Sequence, residues 1–167
     1  VKILVPKGDL KLLKNYNLNN SHEFLWWEEI TINNTNFTFT PAQHWSARGL
    51  RDRNKSLWGS WFIKNGDRSI FHAGDTGYSK DFIEIRNRLG EVDFAMIPIG
   101  AYDPQWFMSY SHVNPEEALN IAKDLNAKKS IGMHWGTFIL TDEPVLEPRD
   151  KLKKIAAETN IDFYTVK

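Results

Sequence analysis

The spacing of apolar positions changes part-way along this chain. Up to Ala73 they come in short runs or alternate with polar residues. Lys2 to Val5 is a short β run ended by Pro6 and Gly8, and Asp9 stands where it can cap a short helix carrying Leu10, Leu12 and Leu13. Glu29 to Ile32 and Asn36 to Thr40 alternate around Asn33-Asn34, which predicts two half-buried strands joined by a turn. Leu57 to Lys64 and Arg68 to Ala73 predict a second pair across Asn65-Gly66-Asp67, a tight-turn sequence.

Beyond Gly77 the period is helical. Phe82, Ile85 and Leu89 predict a helix closed by Gly90. Val92 to Ile99 is nearly continuous apolar, the pattern of a strand covered on both faces. Asn114-Pro115-Glu116-Glu117 combines a capping Asn, a first-turn Pro and acids at the positive helix end. Ala118, Ile121, Ala122 and Leu125 form the inward stripe of that helix. Ser130 to His134 predicts another short strand, Pro148 to Thr159 a last helix and Ile161 to Val166 a last strand. Strands first, then strand-helix-strand-helix-strand, gives an α/β class: a mixed β-sheet with helices packed on at least one face. No repeat or linker divides the 167 residues, so residues 1–167 are read as one domain.

Lys plus Arg and Asp plus Glu number 21 each, so the formal net charge is zero. Such a chain has no general attraction for nucleic acid or anionic membranes. The absence of Cys excludes disulfides, thiolate metal sites and thiol nucleophiles, and fits a cytoplasmic setting. No apolar run approaches the roughly 20 residues of a membrane span. Trp26, Trp27 and Trp106 are read as packing residues, with the wall of a lipid-facing groove as the alternative.

Three candidates for chemistry fall at the ends of predicted strands: His44 in Pro41-Ala42-Gln43-His44-Trp45-Ser46, Asp75 in Ala73-Gly74-Asp75-Thr76-Gly77, and His134 in Met133-His134-Trp135-Gly136-Thr137. Imidazole nitrogens and a carboxylate suit zinc, and flanking glycines let the backbone crowd an ion. A lone His at a strand end is more often a hydrogen-bonded structural residue than a ligand, and Gly-Asp-Thr-Gly is also a plain turn sequence. Asp75-Thr76-Gly77 also matches the nucleophile triplet of aspartic proteases. Tyr78, the single triplet and the helical flanks speak against that reading.

The stretches around His44, Asp75 and His134 combine with Leu57-Trp58-Gly59-Ser60-Trp61 and Ile97-Pro98-Ile99-Gly100-Ala101-Tyr102. Together, and in this order, they resemble the metallo-β-lactamase superfamily, in the branch of N-acyl-phosphatidylethanolamine-hydrolysing phospholipase D. The resemblance covers nearly the whole chain. It implies an αβ/βα sandwich and, in an intact domain, two zinc ions bridged by a nucleophilic hydroxide. By the same resemblance His44 is a ligand of the first metal, Asp75 the carboxylate bridging both, and His134 a ligand of the second. His112, in Ser111-His112-Val113, matches a family histidine near the site that is not a ligand. A substrate-contact or proton-transfer role suits it, and so does tying down the loop before Asn114. The family counterpart of His72 is not a ligand, and His22, in an Asn-rich polar stretch, is read as solvated.

The family's His-x-His-x-Asp-His signature, which supplies four ligands, is absent here: none of the five histidines stands two residues from another. Together with a start at Val1 in an apolar run, this leads us to expect the latter half to two-thirds of a domain. Three ligands divided between two metals are expected to hold zinc poorly. The expected activity of a completed domain is hydrolysis of a phosphodiester, lipid-like substrate, with peripheral contact to a lipid surface. This chain alone is expected to be incompetent. The alternative is a non-catalytic remnant or split piece that binds a partner or self-associates, because removing half of a domain uncovers apolar sheet.

Overall fold

The computed structural model describes residues 1–166. A two-stranded parallel sheet, β1 (Ile3–Pro6) and β2 (Ser21–Phe24), flanks α1 (Leu10–Asn15). The main sheet follows in chain order: β3 (Glu29–Ile32), β4 (Thr35–Thr40), β5 (Ser60–Asn65), β6 (Arg68–His72), β7 (Phe94–Pro98), β8 (Lys129–Met133) and β9 (Phe163–Thr165). The helices α2 (Asp81–Leu89), α3 (Gln105–Met108), α4 (Pro115–Asp124) and α5 (Glu147–Ala157) intervene from β6 onward. This is the expected α/β class with a mixed sheet.

Neighbours from β3 to β6 are antiparallel, and those from β6 to β9 are parallel. Strands β4, β6, β7, β8 and β9 therefore all run the same way and end at one rim. In open sheets of this kind the loops at the carboxyl ends of the strands gather the chemistry.

Register decides what each face carries. Phe62, Phe71, Ala95, Ser130 and Phe163 lie in one cross-strand row, and all are buried. Against this face pack Phe82 and Ile85 of α2, Ala118, Leu119, Ile121 and Ala122 of α4, and Leu152 of α5. The stripe predicted for α4 is thus the buried one. Its start is a complete capping box, with the Asn114 side chain accepting from the Glu117 amide and the Glu117 carboxylate accepting from the Asn114 amide.

The opposite face differs from expectation. Ile30, Phe37, Ile63, Ile70 and Phe94 form one row, and Trp61, His72, Met96, Ile131 and Tyr164 the next. Several of these are only half-buried, and Ile70 and Tyr164 are 39% and 47% exposed. Strand β7 is therefore covered by helices on one face only. Apolar residues on its second face, Phe94 and Met96, produce the continuous run that reads as a doubly covered strand.

Two local expectations also change. Asp9 occupies the position before α1 but makes no cap, because its carboxylate receives the Arg48 guanidinium at 3.0 Å. Residues 57–59 do not extend β5. The Leu57 amide turns to the Lys7 carbonyl, the Trp58 indole donates to the Ala42 carbonyl, and Gly59 passes so close to Thr40 that a Cβ would meet its oxygen at 2.4 Å.

Candidate metal centre

His44, Asp75 and His134 leave the sheet just beyond β4, β6 and β8, at the same rim. The loops that carry them are stitched together. Gln43 forms an isolated bridge with Gly77, its amide donates to Thr76 Oγ1, and its side-chain amide donates to the Tyr110 carbonyl. The three segments holding His44, Asp75 and His112 are thereby fixed to one another. Gly77 permits this approach: a Cβ there would stand 2.2 Å from the Tyr110 carbonyl oxygen.

The four side chains meet. His134 Nε2 lies 3.6 Å from Asp75 Oδ2. The His112 ring stacks on His134 with centroids 5.5 Å apart and meets His44 edge-on at 5.2 Å. His112 thus stands between the two other imidazoles. Burial, followed by the nearby His44 ring, pushes its pKa down to about 4, so the ring is neutral at pH 7. His134 adopts a left-handed backbone at φ 58°, sparsely populated for a non-glycine residue.

Donor chemistry tests whether these residues fit a metal. A carbonyl oxygen only accepts, so the 2.7 Å contact from His44 Nδ1 to the Trp45 carbonyl places the proton on Nδ1. His44 Nε2 then presents a lone pair, and it is buried with no protein partner. That is the tautomer-fixing contact common behind metal-bound histidines. His112 Nδ1 and His134 Nδ1 are likewise buried without partners. These donors fit a divalent ion. Among the described residues, however, no group of three His, Asp or Glu side chains is arranged to hold one by itself.

The other singled-out residues sit elsewhere. His72 projects from the second sheet face, and its Nδ1 accepts the Gly74 amide. His22 is exposed on β2. Asp93 ties the Ser69 amide to Lys128 at the opposite rim, as suits a turn residue. The three tryptophans line no common groove: Trp26 packs on Trp58, Trp27 lies beneath Arg88, and Trp106 is exposed beside Phe107.

Two features escape the sequence. Glu143 is 9% exposed, with its carboxylate accepting from the Ala101 amide at 2.6 Å and the Asp103 amide at 3.1 Å. Burial raises its carboxyl, but hydrogen bonds from Thr141 and from its own, the Asp103 and the Ala101 amides outweigh that and hold it below the usual Glu value. It clamps the loop after His134 against the exit of β7. Those segments enclose a cleft of about 370 Å³ lined by His134, Trp135, Phe138, Leu140 and Val145. The second feature is a pocket of about 240 Å³ bounded by Trp45, Arg53, Phe107, Met108, Tyr110, Ser111 and His112. Neither Glu143 nor Arg53 stands in a motif, so no spacing signals them.

Residues 2–135 match the beta-lactamase superfamily domain. The chain belongs to this superfamily. Within it, the similarity is to the N-acyl-phosphatidylethanolamine-hydrolysing phospholipase D branch. The mitochondrial enzyme of that name from Saccharomyces cerevisiae is 44% identical over 160 residues, covering 92% of this chain and 34% of that protein. The Caenorhabditis elegans phospholipase D 1 is 42% identical over 166 residues, covering 93% of this chain and 47% of that protein. The chain thus spans a third to a half of the length of these relatives. Among solved structures, Igni18, a metallo hydrolase from Ignicoccus hospitalis, superposes with a TM-score of 0.74 at 20% identity, covering 100% of this chain and 66% of that one. The fold is accordingly that of a metallo-β-lactamase superfamily member.

Proposed function

We propose that this chain supplies part of the active centre of a zinc-dependent phosphodiesterase acting on lipid-like phosphodiesters. In this reading His44 would hold one of two metals and His134 the other, Asp75 would serve as a ligand to both, and His112 would face the substrate. The observation that carries it is the meeting of buried, unpartnered ring nitrogens on His44, His112 and His134 beside Asp75. Similarity to the yeast and worm phospholipases D supports the substrate class. When bound, zinc polarises phosphoryl oxygens and activates water at neutral pH. The chain's own residues hold the ligand geometry: the Trp45 carbonyl orients His44, and Gln43 keeps the His44, Asp75 and His112 loops together. His112, neutral and with a buried unpartnered Nδ1, is placed to contact the substrate.

The His-x-His-x-Asp-His signature is not in this sequence, and among the described residues no three His, Asp or Glu side chains are arranged to hold an ion. We therefore expect the 167-residue chain alone to hold zinc weakly. Stoichiometric zinc should leave its melting temperature within a few degrees and give no phosphodiesterase turnover. Adding a segment that carries the signature should produce tight zinc binding, measured by elemental analysis. Failure of the extended form to bind zinc overturns the reading. Turnover by the chain alone overturns its expected incompetence.

A further inference from the structure

We propose that the pocket between Trp45 and His112 is a subsite for a phosphate group carrying an apolar substituent, with Arg53 as its anion-binding residue. The Arg53 guanidinium lies 5.0 Å above the Trp45 ring, and Trp45 in turn stacks on His44, with planes 6° apart and centroids at 5.9 Å. A guanidinium attracted to an aromatic ring has used none of its N–H donors on a carboxylate, and those donors suit bidentate contact with phosphate oxygens.

The surroundings leave that guanidinium unneutralised. Arg53, like Arg51, Arg68 and Arg86 and unlike Arg48, Arg88 and Arg149, meets no carboxylate among the described residues; what sets it apart is its place over Trp45 at the edge of the pocket. Its neighbour Asp52 is turned away, both oxygens accepting from the Arg48 amide and one from the Gly49 amide as well. Asp9 is occupied by Arg48. One unpaired cation therefore stands at the edge of a pocket whose other walls include Trp45, Phe107, Met108 and Tyr110. Phe107 and Tyr110 are 68% and 63% exposed, so their rings are open to an organic substituent in the pocket. A volume of about 240 Å³ suits a headgroup-sized fragment rather than a whole lipid. His112 lines the same pocket, so a phosphate held by Arg53 lies next to the four-residue cluster.

The identity of the ligand deepens the phosphodiesterase reading and rests on it, but the binding needs no metal. The test is calorimetric titration of the full chain in excess EDTA with butyl phosphate, inorganic phosphate and butanol. Butyl phosphate should bind several-fold more tightly than inorganic phosphate, and butanol should not bind measurably. Arg53→Ala should weaken butyl phosphate about ten-fold, and Arg53→Lys should retain part of the affinity. Arg51→Ala, a change of equal charge two residues away, should have no effect. Equal affinity in Arg53→Ala and the parent overturns the subsite, as does an equal loss in Arg51→Ala, which marks a net-charge effect. Inorganic phosphate binding as well as the ester removes the apolar part of the proposal. Because zinc is absent, none of these outcomes touches the metal reading, which is tested by metal content.

Discussion

Asp75 and His134 meet across an intervening strand: Asp75 leaves β6, His134 leaves β8, and Oδ2 and Nε2 stand 3.6 Å apart beyond the end of β7. The pair exists because β6, β7 and β8 are parallel and release their loops at the same rim.

Removing this carboxylate should separate chemistry from stability. The Asp75 side chain is 43% exposed, so its contact with His134 contributes about 0–1 kcal/mol to folding. Asp75→Ala should leave the urea midpoint nearly unchanged. In a form extended by the four-ligand signature it should lower zinc affinity at least ten-fold, read by competition with a chelating dye. A large stability loss with intact zinc affinity would assign Asp75 a structural role instead.

Gly77 should tolerate no side chain. The atoms that a Cβ would meet at 2.2 Å and 2.8 Å are the carbonyl oxygens of Tyr110 and Ser109, which no rotamer change can move. Gly77→Ala should cost about 1–3 kcal/mol in denaturant unfolding. It should also shift the His112 ring resonances, because the displaced segment carries that residue.

Glu143 gives the acid limb of stability a defined source. Its folded pKa lies below the ordinary 4.5, so its contribution is fully present above that value and is lost as pH falls through the folded pKa. Glu143→Gln should cost about 1–3 kcal/mol at pH 7, since the Ala101 and Asp103 amides use different carboxylate oxygens and Gln replaces one of those with an NH2 donor. It should also flatten the decline in stability below about pH 4.5, measured as urea midpoints at pH 7 and pH 3.

What the sequence reveals about this molecule follows from which signals are local. Helix α4 is legible because its cap, its first-turn Pro and its stripe all lie within a dozen residues. The rim that unites His44, Asp75 and His134 is legible only through the resemblance, since spacing leaves each of them open to a plain structural reading. Strand β2, Ser-His-Glu-Phe, carries no alternation strong enough to announce itself, and it forms by pairing with distant β1. The roles of Glu143 and Arg53 depend on partners 40 and eight residues away or more, which no local pattern encodes.

The half-covered sheet face predicts association. Ile63, Ile70, Phe94, Met96 and Ile131 share it, in rows that run across the central strands. We expect dimers or larger species in light scattering at high concentration. Ile70→Lys combined with Met96→Lys should shift them toward monomer. A purely monomeric parent chain at high concentration would argue against this.

The common direction of β4, β6 and β8 also divides the molecule into a working end and a permissive one. The turns Asn33-Asn34 and Asn65-Gly66-Asp67 lie at the far rim, and a Cβ at Gly66 meets nothing within 4 Å. An affinity tag, fluorophore or fused domain inserted there can report on the protein from a full strand length away while leaving the rim of His44, Asp75 and His134 untouched.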